Sequence, residues 1–440
     1  MSHSKPQLGL WQVVLFGLAY MTPIIVLGTF GVLAVVSEGA VSGAYAAALI
    51  AMLFTAHSYG RMASAYPVAG SAYAYVRHAI NDRLGFMAGW AILLDYLFLP
   101  MVIWLIGAAY LHSAFPSVPV PVWLIAFIAV TTFINIIGLK LASLVNSVLM
   151  LVQVLVIAAF VALAVHYVLG DPSQPLWSLT PFLGSADSPQ MPLLMAGAAV
   201  ACYSFLGFDA VTTLTEETRD AERTLPRAIL LITLLGGLIF ILVSYFVQLA
   251  APGYEFANAD AAAYEIARNI GGDVFVSIFL IGLVVGQFAS GIAAQASGSR
   301  LLYAMGRDGV LSTRLLGRLG RFGTPTGGLI LSGVVALLAL TMDVLSAASF
   351  INFGAFLAFA LVNLSVIAHY YIKQGRRGLA DSLYFLVAPT IGLLAILWLM
   401  ASLDRSALML GGIWLACGLA WLAWLTRGFR QATPELSLEG

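Results

Sequence analysis

The sequence predicts an all-α polytopic membrane protein with twelve transmembrane helices, and three observations carry that expectation. Of its 440 residues, 61% are hydrophobic and only 9% are charged, and the mean hydropathy is +0.97. A soluble globular chain carries roughly 25% charged residues, so this one has too little polar surface to face water. Apolar windows of about 20 residues, the length that crosses a bilayer, recur twelve times. They lie at 10–36, 43–66, 84–114, 120–138, 144–168, 192–216, 227–250, 273–304, 326–342, 345–371, 383–402 and 407–426. The third observation is that the charges are sorted. Lys+Arg 20 and Asp+Glu 20 cancel in total, yet with the N-terminus inside only Arg268 and Arg405 fall in outer loops. The remaining basic residues, Lys5, Arg61, Arg77, Arg83, Lys140, Arg219, Arg223, Arg227, Arg300, Arg307 and the rest, fall inside. The positive-inside rule then puts both termini in the cytoplasm. Glu38, Asp171, Asp187, Glu255, Asp260, Glu265, Asp273, Asp343 and Asp404 fall outside.

Several function classes are excluded at this level. The neutral total gives nucleic acid no electrostatic footing. Cys202 and Cys417 lie in apolar runs, so a disulfide framework and a cysteine metal site are ruled out. No cleavable signal peptide is evident, because the first apolar stretch is long enough to span. No Walker-type phosphate loop, HExxH pair or Ser-His-Asp arrangement occurs, so neither cofactor nor metal is expected. Residues 1–440 read as one transmembrane domain. Its longest outer segment is an amphipathic connector at 252–272, and a basic inner loop runs over 305–325. A channel, a secondary transporter or a membrane-embedded enzyme remain open.

Taken in order, the spans carry few but pointed irregularities. Span one reads FGLAYMTPIIVLGTFG, with Gly17, Thr22, Pro23 and Gly28 inside an apolar helix. Span two holds His57, read as a hydrogen-bonded helix histidine in preference to a proton relay. Span three holds Asp95 in ILLDYLFLP, where nothing local satisfies it, followed by Tyr96. Span five carries Gln153. Span six reads CYSFLGFDAVTTLTEET, with Gly207 beside Asp209 and Glu216 nearer the cytoplasm. Span eight holds Gln287, which lines a cavity or makes an interhelical bond. Irregular backbone at membrane depth is tolerated only where it lines a cavity or is buried in protein. Breaks at corresponding positions of two inverted halves point to a transporter binding site at the midplane. Span six is the first after a set of five, so 10–168 and 192–371 would be inverted repeats, with 383–426 outside them.

The deep charges are all acidic. An ionisable group at a helix centre costs about 2.5–3.5 kcal/mol on insertion scales, and no Lys or Arg lies at mid-membrane to pair with Asp95 or Asp209. Two such carboxylates favour a cation and repel an anion. A carboxylate isolated in low dielectric also favours its protonated form, as proton coupling requires. Asp209 either works on ligand and proton or caps the second half of span six. Asp95 either meets the far ammonium of a diamine or bonds a neighbouring span. Tyr20 and Thr22 at the first break, and Tyr203, Ser204, Phe205, Gly207 and Phe208 at the second, complete the candidate contacts, since ring faces attract ammonium groups. Glu216 is a candidate for gating or proton coupling.

Three stretches give the chain a resemblance to the amino acid–polyamine–organocation superfamily along nearly its whole length. They are PVAGSAYAYVRHAINDRLGFMAGW at 67–90, SFLGFDAVTTLTEET at 204–218 and SRLLYAMGRDGVL at 299–311. GLAYMTP, LLDYLFLP and the span-six form look most similar to bacterial putrescine importers. The resemblance implies a LeuT-like fold of two inverted five-helix repeats with discontinuous helices 1 and 6 and an extra helix pair. It also implies alternating access in the inner (plasma) membrane, driven by a proton or ion gradient. It makes the position of Asp209 an acidic gate or substrate contact, and puts an aromatic of the Tyr96 motif at the substrate. Amino acid carriers of the superfamily commonly hold the substrate carboxylate on a Gly-Ser-Gly type motif, where this chain has Ala19-Tyr20-Met21-Thr22-Pro23. That departure argues for an amine without a carboxylate. Gln153 stands where some relatives have a coupling lysine, so that device does not carry over. The expected partners are putrescine or a related polyamine, protons and membrane lipid. The alternative cargo is a cationic or neutral amino acid, taken up or exchanged.

Overall fold

A computed structural model describes residues 8–67, 71–138, 143–171, 175–184 and 191–433, with only the backbone described at 143–147 and at Glu216. Lys5, Lys140 and Asp187 lie outside the described residues. Among the described residues the secondary structure is helical throughout, apart from one isolated parallel bridge between Leu8 and Thr218. Among the described residues eleven helices are long and apolar enough to cross a membrane.

The first span is three pieces: α1 (Leu10–Met21), α2 (Ile25–Gly28) and α3 (Phe30–Val36). The interruption falls where proline removes a donor and blocks the helix before it: Thr22 takes a left-handed backbone at φ 51. Span two is α4 (Val41–Ala65), followed by a short helix α5 (Ser71–Ala79) inside what the charge pattern reads as a plain inner loop. Spans three to five are α6 (Asp82–Ala114), α7 (Val120–Ile137) and α8 (Ser143–Leu169). After the short α9 (Thr180–Leu183), span six starts as α10 (Met191–Ala201). It tightens to a 3-10 turn over Cys202–Phe205, unwinds through Leu206 and Gly207, and resumes as a 3-10 helix over Ala210–Glu217.

Span seven is α11 (Ala221–Ala250), and span eight is α12 (Ala262–Arg307), which includes the end of the outer connector as a helical arm. Gly272, at φ 68, makes the corner between arm and span. The ninth window is α13 (Thr326–Ala336) with a 3-10 continuation over Leu337–Thr341, shorter than the other eleven. At about 1.5 Å per α residue and about 2.0 Å per 3-10 residue it reaches about 26 Å, close to a hydrocarbon core of about 30 Å. Span ten, α14 (Val344–Val366), ends in a π-helical stretch at Ile367–Lys373. The remaining helices are α15 (Leu379–Ser382), which leads through a π-helical segment into α16 (Ala388–Ala401), and α17 (Arg405–Leu425).

The packing is that of a membrane bundle. α4 runs along α11, and α6 lies between α12 and α14; α6 and α14 are the most enclosed of the long spans among the described residues. Small residues let backbones close up, as expected where lipid supplies no hydrophobic drive between helices: a Cβ at Gly298 would overlap the Tyr96 carbonyl, and one at Gly354 would crowd the Ala91 carbonyl. Outward faces of α7, α8, α16 and α17 carry Phe133, Leu155, Leu394 and Ile413, all exposed. The basic loops gather on one face. The Arg61 guanidinium lies 5.4 Å from the Tyr384 ring centroid, Arg83 donates to the Phe429 carbonyl at 2.8 Å, Ser64 donates to Glu222 at 2.7 Å, and Trp421 donates to Val310 at 2.8 Å.

Candidate functional site

The two interrupted spans meet. Gly207 sits at φ 105, a region open to glycine at little cost, and the Tyr20 ring lies where its side chain would be. The aromatic before one break therefore packs on the bare backbone of the other. Backbone groups freed by each break find partners nearby, as buried amides must. The Thr22 N–H donates to Ala19 at 3.2 Å, and its hydroxyl reaches the Tyr20 carbonyl at 3.3 Å and Ser290 at 3.4 Å. Asn352 of α14 donates to the Ala199 carbonyl at 2.8 Å, filling one of the acceptors left where α10 ends. Thr29, Tyr45 and Ser204 form a buried hydroxyl chain at 3.3 and 3.0 Å that ties spans one, two and six together.

Around this junction stand the two deep carboxylates. Asp95 of α6 and Asp209 of span six lie within electrostatic reach of each other, and Tyr20 and Tyr96 lie within reach of both. Tyr203 is within reach of Asp95. Tyr20, Asp95, Tyr96 and Asp209 are half-buried, so each keeps some surface open, whereas Tyr203 is buried. Among the described residues neither carboxylate forms an ion pair. Asp95 Oδ1 is buried without a hydrogen-bond partner. The Asp209 side chain makes no helix cap; its Oδ2 accepts from Ser71 Oγ at 3.2 Å. A junction with two acidic groups on different spans, flanked by tyrosine rings, is suited to hold an organic cation by charge and by cation–π contact.

The other sequence candidates take up different positions. Ser204 is engaged with Tyr45, and Phe205 packs edge-on against Phe240 at 5.3 Å, so both are committed to packing. Phe208 joins Tyr59 (5.3 Å) and Phe359 (5.4 Å) in an aromatic floor, to which Tyr75 of α5 adds a fourth ring at 6.1 Å from Tyr59. Gln287 is buried with Nε2 unpartnered, beside Gly28 of span one. The Glu216 side chain lies outside the described residues. His57 donates from Nε2 to the Tyr384 carbonyl at 3.1 Å, as a hydrogen-bonded helix histidine does. Sequence reasoning passes over Ser71, Tyr59, Tyr75 and Asn352. For Asn352 there is a signal, a carboxamide in the apolar run SFINFGAF; for Ser71 there is none, because its loop reads as solvent-exposed.

Comparison with known proteins places the chain in a family. Residues 8–408 match the amino acid permease family. The chain is 42% identical over 435 residues to the low-affinity putrescine importer PlaP of Escherichia coli (strain K12), covering 98% of this chain and 96% of that protein. It is 25% identical to the branched-chain amino acid permease BcaP of Bacillus subtilis (strain 168), over 94% and 92% of the two chains. It is 26% identical to the methylthioribose transporter of the same organism, over 89% and 88%.

Proposed function

The chain belongs to the amino acid permease family, and from that premise we propose that it is a secondary transporter importing a polyamine, putrescine foremost, across the inner membrane by alternating access. The observation that carries this is the pair Asp95 and Asp209, two carboxylates of different spans within electrostatic reach and without an ion-pair partner among the described residues. A diamine offers one ammonium to each. Sugars and neutral solutes would leave both uncompensated, and an anion would be repelled.

An amino acid cargo fits less well. Its carboxylate needs backbone donors at a break, but at the first one the Thr22 N–H is already bonded to Ala19 and Pro23 has none. The surroundings of that break are acidic and rich in tyrosine. Spans 1–5 and 6–10 are read as inverted repeats because the breaks fall five spans apart and the helices that run together, α4 with α11 and α6 with α12, are also five spans apart. The basic face is cytoplasmic by the positive-inside rule, and so are both termini. Uptake would be driven by protons, for which Asp209 is the carrier group.

The test is uptake of radiolabelled putrescine into proteoliposomes under an imposed pH gradient, with spermidine, ornithine, arginine and γ-aminobutyrate as competitors. Putrescine uptake inhibited by spermidine and not by the amino acids is expected. Competition by amino acids with no diamine uptake would overturn the proposal, and uptake indifferent to the gradient would remove proton coupling from it.

A further inference from the structure

Asp209 is the carboxylate expected to meet substrate, yet its one side-chain partner among the described residues belongs to neither broken helix. Ser71 Oγ donates to Asp209 Oδ2 at 3.2 Å. Ser71 is the first residue of α5, between spans two and three, is 9% exposed, and holds a left-handed backbone at φ 46. A non-glycine residue there is uncommon and costs free energy unless its surroundings fix it. α5 also supplies part of the floor beneath the site. Tyr75, one turn on and on the same helical face as Ser71, packs edge-on against Tyr59, which packs against Phe208 and Phe359. These aromatics are buried; the Tyr59 hydroxyl faces Ser71 and the Tyr75 hydroxyl faces Thr212, neither in a well-formed hydrogen bond.

From this arrangement we propose that Ser71 is a positioning residue for transport: its bond to Asp209 latches α5, and with it the aromatic floor, onto the binding site. The proposal rests on Asp209 being the ammonium-binding carboxylate. A buried hydroxyl without a partner is destabilising, so the closed floor gains nothing from the Tyr59 and Tyr75 hydroxyls, and water entering on opening satisfies them. The well-formed polar tie between α5 and the binding carboxylate is then Ser71 to Asp209. An ammonium that draws the Asp209 carboxylate competes for the oxygen Ser71 uses, so occupancy of the site weakens the latch. Loss of a hydrogen bond to a charged group is worth roughly tenfold or more in an equilibrium.

The test places a reporter thiol on the cytoplasmic side of Asp209. Thr212 is fully buried on the 3-10 helix that follows it, beside Tyr75 of the floor, so Thr212→Cys is made in full-length protein carrying Cys417→Ser. Labelling by a membrane-impermeant maleimide is followed in inside-out vesicles without any amine. Ser71→Ala and Ser71→Gly should both raise the labelling rate about tenfold. Ser71→Asn, which tolerates a left-handed backbone and donates an N–H, should return it towards the parent. Cys202, fully buried, serves as the internal check, because it reacts only if the protein unfolds. Parental labelling rates in both Ala and Gly variants would overturn the latch. So would labelling of Cys202 alongside the reporter thiol, which would make Ser71 merely structural. An increase in Ala alone would assign the effect to backbone strain and overturn it equally. A parent whose labelling is unmoved by added putrescine would count against that cargo, while the amine-free comparison still decides the latch.

Discussion

Replacing Asp209 by asparagine isolates charge from shape. The carboxamide has nearly the volume of the carboxylate, and its oxygen can still accept from Ser71 Oγ, now 3.2 Å away. What disappears is the attraction for an ammonium. Two unit charges about 4 Å apart interact by about 4 kcal/mol at an effective dielectric of about 20, and the net worth of a hydrogen bond to a charged group is at least about 1.5 kcal/mol. KM for putrescine should therefore rise by about 10- to 1000-fold. Folding should not suffer, because the variant removes an ionisable group from a span where charge is costly and leaves the Gly207–Tyr20 packing untouched. The assay is initial-rate uptake in proteoliposomes over a range of putrescine, beside the melting temperature in detergent. A KM within threefold of the parent, with an intact melting temperature, would refute Asp209 as the ammonium partner. A parental KM in counterflow with loss only of gradient-driven accumulation would assign it to proton coupling alone.

Asp95→Asn breaks no hydrogen bond at the unpartnered Oδ1, so the melting temperature should hold while inhibition by putrescine weakens about tenfold or more and inhibition by butylamine, with a single ammonium, changes less than twofold. Gly207→Ala forces a Cβ into the Tyr20 ring at φ 105 and should abolish uptake; combining it with Tyr20→Ala relieves the overlap but not the backbone strain, so stability should return only in part and affinity not at all, as a thermal-shift and binding double-mutant cycle would reveal. Asn352→Leu strips the Ala199 carbonyl of its 2.8 Å donor and should lower stability by about 1–3 kcal/mol, measured by denaturation in detergent, with Asn352→Gln recovering little because its amide is displaced by a methylene.

The fold is legible wherever one physical constraint dominates. Bilayer thickness sets span length, and the apolar windows end within a few residues of the observed helices for spans such as Val41–Ala65 and Val120–Ile137. Proline and glycine chemistry locates both breaks, at Thr22-Pro23 and at Gly207. Legibility fails where the decisive contact is between residues far apart in the chain. Ser71 and Asp209 are separated by 138 positions, and nothing in GSAYAYVRHA marks a loop helix that turns back into the bundle. Periodicity does not separate Phe208 in the floor from Phe205 in the packing against Phe240, because both sit in one apolar run around a break. The ninth span is short for a further reason: hydropathy counts residues, whereas a 3-10 continuation changes the rise per residue.

Charge counting at the site carries the selectivity further than shape does. With Asp95 and Asp209 both engaged, a ligand bearing two ammonium groups would leave the site neutral. A monoamine leaves one carboxylate uncompensated in a medium where that is costly. Ornithine and lysine bring two ammonium groups but add a carboxylate, which would need its own donors; at the first break the Thr22 N–H is bonded to Ala19 and Pro23 has no N–H to give. Discrimination of that kind works through groups left unpaired, and is stronger than discrimination by a methylene of size, which is worth only about 1–3 kcal/mol. It follows that chain length among diamines should be read loosely and charge strictly: cadaverine should compete with putrescine within about a hundredfold, whereas ornithine, nearly the same length as putrescine and with the same two ammonium groups, should compete at least about a thousandfold worse. A site that ranked ornithine above cadaverine in competitive uptake would have its carboxylate donors elsewhere, and the span-six break around Gly207 would be the place to look.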